Sequence, residues 1–220
     1  TNSIIIKNKI IQKYNVDERN VKVLYKGINF DQIINVKKNF KIDIKNRIQI
    51  AFVKSNYKIG GLEKLCVALN KITDKEFQIN IFGPSSVHKN LYDFNNVNLN
   101  LYPRLSKSDL FDRIINSDIF CVPCSKEAYG QANIEAIALQ IPTIILPTDY
   151  QLILHDESYC FMPKNDDSIS LSQTFLEIFN LSESQLEIKT KLGRKQMKKK
   201  YSMQNCFKNF DKLINEFTAV

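Results

Sequence analysis

The sequence predicts an α/β fold, a Rossmann-like parallel sheet with helices on both faces. Three observations predict it. Short apolar runs recur at Ile48 to Val53, Phe77 to Phe82, Val97 to Leu101, Asp118 to Val122 and Thr143 to Pro147. Segments of helical periodicity fill the gaps between them. Runs such as Ile48 to Val53, Asp118 to Val122 and Thr143 to Pro147 are apolar nearly throughout, the mark of strands covered on both faces. At 220 residues the chain is long enough for one good core, and a single domain over 1–200 with a docking C-terminal helix over 201–220 is the expected organisation.

In chain order, Ser3 to Tyr14 reads as a helix already under way, and the absence of an opening Met suggests a processed or excised segment. Val21 to Tyr25 is a short β-like run closed by Lys26-Gly27. After the first core strand, the Gly60-Gly61 turn precedes a stripe of Leu62, Leu65, Leu69 and Ile72, which share a helix face. Ser106 followed by Asp109 gives a capping-box-like start, after which Leu110, Phe111, Ile114 and Ile115 share a face. Tyr159 to Met162 reads as a last short strand, and Ser168 to Phe179 and Glu183 to Lys200 as helices. A final helix from about Ser202 presents Phe207, Phe210, Ile214 and Phe217 as a stripe suited to docking on the body.

Composition excludes several function classes. The apolar runs are too short to cross a bilayer and no cleavable leader is recognisable, so a cytoplasmic location is the default expectation. Five cysteines at irregular spacing argue against a secreted disulfide framework. Cys121-Val-Pro-Cys124 is a weak hint of a redox pair or half a zinc site, but no second ligand pair accompanies it and no metal is expected. His88 and His155 sit in polar stretches and are expected at the surface.

The net charge of +8 is unevenly spread. Residues 1–50 carry 11 basic and 4 acidic side chains, 51–180 carry 11 and 15, and 181–220 carry 9 and 4. An acidic middle argues against a nucleic-acid binder, which sets its basic stripe on the working face. Basic ends suit a weak peripheral contact with an anionic membrane or an acidic partner, while Lys198, Lys199 and Lys200 read as a solvated helix face.

Parallel sheets bind ligands at the carboxyl ends of their strands. That rule selects the loops 54–61, 83–86, 102–106 and 123–131. Within the last, Glu127 lies in a loop and Glu135 eight residues later lies in the first turns of a helix, with the Gly130 turn between them. Free N–H groups at that helix start would face phosphates, and each carboxylate can accept from paired sugar hydroxyls. Lys54 and Lys58 in the first loop can neutralise phosphate charge.

These residues resemble the C-terminal, nucleotide-binding half of retaining GT-B glycosyltransferases, whose mark is Glu, seven residues, Glu; here it reads Glu127-AYGQANI-Glu135. The likeness covers nearly the whole chain, through VKVLYKGINFDQI, then NLYPRLSKSDLFDRIINSDIFCVPCSKEAYGQANIEAIALQIPTII, then YCFMPKND and the tail helices. It implies one half of a GT-B fold that transfers a sugar, with retention, from a nucleoside-diphosphate sugar to a hydroxyl of a glycan or lipid-linked acceptor in glycan, capsule or lipopolysaccharide synthesis. No separate cofactor is implied. Glu127 would face the donor sugar as the catalytic residue, and Glu135 would hold the ribose hydroxyls. Tyr129, Gly130, Gln131 and Ala132 would surround the diphosphate, with Lys58 or Lys54 neutralising it. Gly83 and the Arg104-Leu105 pair would line the rest of the cleft. The acceptor would sit on a preceding domain that this chain lacks, so that the chain alone binds donor without turning over.

The chain departs from the pattern at Lys54-Ser55, where the family has Gly-Arg, and at Gly60, where it has a lysine; Ala128 and Gln140 replace glycines. The lost arginine touches the chemistry, because charge develops on the departing diphosphate. A catalytically degenerate nucleotide-sugar-binding or partner-stabilising subunit is therefore the alternative reading, and a sugar-nucleotide epimerase of similar architecture is a third.

Overall fold

The structure is a computed structural model that describes residues 1–33, 47–84, 86, 94–127 and 129–218. Its centre is a five-stranded, all-parallel sheet formed by β1 (Ile48–Val53), β2 (Phe77–Phe82), β3 (Val97–Tyr102), β4 (Ile119–Cys121) and β5 (Thr143–Ile144). The order across the sheet is β3-β2-β1-β4-β5, so the chain reverses its direction of travel between β1 and β4. Such a switch opens a crevice at the carboxyl edge, between the loops that leave the two strands.

The expected rhythm is present, with shorter strands at one side. β4 and β5 pair over only two residues, Phe120 with Thr143 and Cys121 with Ile144. Pro123 and Pro147 follow them closely, and a residue without an N–H cannot extend a ladder. Tyr159 to Met162 contributes one parallel bridge, Phe161 to Ile144, in place of a strand. The Val21 to Tyr25 run forms no strand; it has no ladder partner among the described residues, and its Leu24 N–H donates to the Thr1 carbonyl (2.8 Å).

Helices cover the sheet on both sides: α1 (Ile4–Tyr14), α2 (Leu62–Asn70), α3 (Lys107–Ile114), α4 (Gln131–Ala138), α5 (Asp149–Leu154), α6 (Ser168–Phe179), α7 (Glu183–Tyr201) and α8 (Met203–Thr218). Ser3, Ser106, Thr148, Asp167 and Ser182 cap the starts of α1, α3, α5, α6 and α7 by accepting first-turn N–H groups. Ser182 and Gln185 form a full reciprocal capping box. Phe52, Phe77, Phe120 and Phe175 are fully buried in the core.

α4 is the most enclosed helix near the crevice, with Asn133 to Ala138 buried without interruption. α7 lies directly against it. A Cβ on Gly193 would come within 2.7 Å of Ile137, so only glycine permits this approach, and Arg194 donates to the Ala138 carbonyl (2.7 Å), satisfying a C-terminal carbonyl of α4. The helix that carries Glu135 is thereby fixed at its far end.

Two expectations are corrected. His155 is 3% exposed, packed edge-on to Tyr159, with neither ring nitrogen hydrogen-bonded; the polar residues around it turn outward while the C-terminus of α5 carries its ring inward. His88 lies outside the described residues. The final helix begins where expected and is anchored by its first turn, where Cys206 Sγ meets the Tyr25 carbonyl (3.3 Å) and the Met203 N–H donates to Ile28 (3.1 Å). Phe207, Phe210 and Ile214, however, are 59%, 46% and 45% exposed. Periodicity identifies an apolar face; it carries no information about what covers that face.

Candidate active site

The β1 loop begins with Lys54, whose N–H donates to the Phe82 carbonyl (3.0 Å), so its backbone still belongs to the sheet. Its side chain runs over Gly60. A Cβ at Gly60 would lie 3.0 Å from Lys54 Cγ and 2.7 Å from Phe52 Cζ, so the missing side chain is what makes room for the lysine stem. The ammonium then reaches Glu127 and forms an ion pair with Oε2, each side chain about a quarter exposed.

Glu127 is held from the other side as well. Its Oε1 accepts from the Gly130 N–H (3.2 Å), and its carbonyl accepts from Gln151 Nε2 (3.4 Å). Gln151 also accepts from Asn133 Nδ2 (3.3 Å), tying the loop to α4 and to the start of α5. Gly130 caps α4 with φ +70° and no capping side chain; the left-handed conformation favours glycine and leaves the helix mouth open. The Gln131 and Ala132 amides have no acceptor among the described residues.

Glu135 forms the second pair. Its carboxylate is nearly enclosed, with Oε2 accepting from Lys107 Nζ (2.7 Å) and Oε1 from Gln131 Nε2 (2.8 Å). Lys107 starts α3 and is itself half exposed, its ammonium lying 5.4 Å from the centre of the Phe111 ring.

A cavity of about 450 Å³ opens at this edge, lined by Val53, Lys54, Ser55, Phe82, Gly83, Arg104, Leu105, Lys107 and Leu110. Expected residues Lys54, Gly83, Arg104 and Leu105 thus converge, and the face presented to a ligand carries three cations. Glu127, Glu135, Gly130, Gln131 and Ala132 adjoin this edge without lining the cavity, and two further expected residues lie elsewhere. Lys58 lines a separate cavity of about 650 Å³ with Lys64, Ser125 and Lys126, because the turn at residues 56–61 carries it to the other side of the loop. The Tyr129 side chain points into the body, donating to the Lys26 carbonyl (2.7 Å) and stacking on Tyr25 at 5.9 Å. Burial pushes its phenol well above the usual range. It anchors the loop; only its backbone adjoins the helix mouth.

Cys121 and Cys124 are buried free thiols, and burial raises the Cys121 thiol far above its ordinary value. No group of three or more His, Cys, Asp or Glu side chains gathers as a metal site among the described residues. No helix among them is long and apolar enough to cross a membrane.

The family profile described as glycosyl transferases group 1 matches residues 35–191. The chain belongs to this family. Among relatives of the group 1 transferase, the capsular polysaccharide biosynthesis glycosyltransferase CapM of Staphylococcus aureus is 24% identical over 228 residues, covering 96% of this chain and 60% of that protein. The structure superposes on a glycosyltransferase from Rickettsia africae with a TM-score of 0.80 at 19% identity, over 98% of this chain and 62% of the other. It also superposes on HepE of Anabaena, solved with UDP and glucose, with a TM-score of 0.79 at 11% identity, over 98% of this chain and 62% of the other. The fold is that of the GT-B glycosyltransferases' Rossmann-like domain, and the chain spans about three-fifths of the length of these three relatives.

Sequence reasoning missed Lys107, Gln151, Asn133 and the role of Gly60. Lys107 left one signal, a lysine directly after the Ser106 cap, where the helix dipole disfavours a cation. Thr148-Asp149-Tyr150-Gln151 matches a capping box; Thr148 does cap, but the Gln151 side chain turns to Asn133 and the Glu127 loop instead.

Proposed function

We propose that this chain is the donor-binding part of a glycosyltransferase that takes a nucleoside-diphosphate sugar and transfers the sugar, with retention, to a hydroxyl of a glycan or lipid-linked acceptor held on a further domain. One observation carries the reading: Lys54, Arg104 and Lys107 line a single cavity at the carboxyl edge of the sheet, each lysine paired with one of the two glutamates. A cationic mouth with two carboxylates behind it matches a ligand that is anionic at its diphosphate and rich in hydroxyls at its sugars. The UDP and glucose in HepE support the same ligand class.

In this reading the Gln131 and Ala132 amides and the Lys54 ammonium receive the diphosphate, leaving the Glu127 carboxylate to face the donor sugar. The bond from the anomeric carbon to the phosphate oxygen breaks and its electron pair leaves on the diphosphate. The acceptor oxygen bonds to that carbon from the same face, and its proton passes to the departing phosphate. Preorganised cations and amides aimed at the developing charge lower the barrier. Glu135 accepts the ribose hydroxyls.

The Lys54-Ser55 sequence in the place of Gly-Arg favours a second reading, a subunit that binds the donor without turning it over. Calorimetry with a panel of nucleoside diphosphates, followed by an assay of transfer, separates the two. Binding with transfer that needs Glu127 supports the enzyme; binding without transfer by the protein joined to its acceptor domain supports the subunit; no binding at millimolar ligand removes both.

A further inference from the structure

Lys107 stands where a lysine is unfavourable. It is the first residue of α3, beside free N–H groups at the positive end of the helix dipole. Its stem bends over the Phe111 ring and its ammonium ends 2.7 Å from Glu135 Oε2. Gln131 donates to the other oxygen (2.8 Å) from one turn earlier on α4. Glu135 is therefore gripped once on each oxygen, from two different helices, which fixes both the position and the rotation of its carboxylate plane. A carboxylate offers about four lone-pair directions, so each oxygen keeps one. Two remaining acceptors, a carboxylate's width apart in a fixed plane, match the two hydroxyls of a cis-diol.

Lys107 lines the 450 Å³ cavity, whereas Glu135, 3% exposed, lies behind it. The Lys107 ammonium thus joins the cavity lining to that carboxylate. From this geometry we propose that Lys107 is a positioning residue that sets the preference of the site for an intact ribose cis-diol over a deoxyribose. The proposal rests on the donor-binding reading above. It gives Lys107 a task separate from phosphate charge neutralisation, which falls to Lys54 and the mouth of α4.

The test is calorimetric, on the full chain, with uridine, guanosine and adenosine diphosphates, each beside its 2′-deoxy counterpart. The wild type is expected to prefer the best ribo-ligand over its deoxy form by about tenfold or more, the range of a hydrogen bond to a charged group. K107M is expected to lose about tenfold in affinity for the ribo-ligand and less than about threefold for the deoxy-ligand, so that the preference collapses towards one; K107R should restore most of it. Equal losses for both ligands in K107M would overturn the proposal, because they would show Lys107 acting on phosphate charge alone. An unchanged preference would overturn it as well. If K107M does not fold, K107R carries the test, since its longer side chain keeps both the positive charge and the donors. A preference kept within about threefold by K107R supports positioning through the hydrogen bond, and its loss overturns it. Failure of the wild type to bind any of the ribo-diphosphates instead removes the donor-binding reading itself, and this outcome is distinct from binding that shows no ribose preference.

Discussion

The two lysine–glutamate pairs differ in what their surroundings allow. Lys54 and Glu127 are each about a quarter exposed and both sit on loops, whereas Lys107 is half exposed but its partner Glu135 is 4% exposed on a helix clamped by α7. A partly hydrated pair between loops contributes little to stability and exchanges partners readily. A buried carboxylate deprived of its cation is expensive, because the remaining hydrogen bond from Gln131 compensates only part of its lost hydration. One pair is built to open and the other to stay closed. That division agrees with the roles proposed above, Glu127 facing the reacting sugar and Glu135 holding a part of the donor that does not react.

The largest effect expected is on turnover. Glu127→Ala should reduce transfer by about a thousandfold or more, the scale of a lost transition-state contact, with nucleotide affinity changed less than about threefold; transfer within tenfold of wild type would erase the functional side of the contrast. Glu135→Ala should show the converse, about thirtyfold weaker nucleotide binding by calorimetry. The stability contrast is read by urea unfolding. Lys107→Met should cost about 3 kcal/mol, since it leaves a buried carboxylate short of a partner, whereas Lys54→Met should cost about 1 kcal/mol or less. Equal costs would mean that the two pairs do not differ in kind.

A pH series sharpens the comparison only if His155 is taken into account. Burial, reinforced by nearby Lys200, lowers its imidazole to about 4 from an ordinary 6.5. The folded state therefore favours the neutral ring. Its contribution is fully present above pH 6.5 and is lost as the pH falls from there to about 4, because the unfolded chain then binds a proton that the folded chain refuses. The amount is about 3 kcal/mol. A His155→Phe variant should unfold less readily than wild type across that window, and an identical acid profile for the two proteins would refute the assignment. In that background any remaining acid sensitivity comes from other groups, and the variants of the two pairs can be compared without the His155 term.

How much of this was legible in the sequence follows from what kind of fact each part is. Parallel strands such as Ile48–Val53 declare themselves because both of their faces are buried, and the position of Glu127 and Glu135 at the carboxyl edge follows from the order of elements. The partners of those glutamates did not follow. Lys107 and Lys54 lie 28 and 73 residues away along the chain from Glu135 and Glu127, and only the closed sheet brings them near. Lys58 was misplaced for a related reason: a turn between residues 56 and 61 reverses direction, so two lysines four apart serve different cavities. His155 and Tyr129 show that a polar neighbourhood in sequence says little about which way one ring turns.

Gly60 gives the Lys54 pair a genetic consequence. Because the lysine stem occupies the space a side chain at 60 would need, the two positions cannot be changed independently. Placing a lysine there by Gly60→Lys alone would push two stems into one trough against Phe52. Shortening Lys54 first would clear the trough but leave Glu127 without its cation. A route between the two arrangements thus passes through a strained or a chargeless intermediate, and only the paired exchange is expected to conserve both packing and charge.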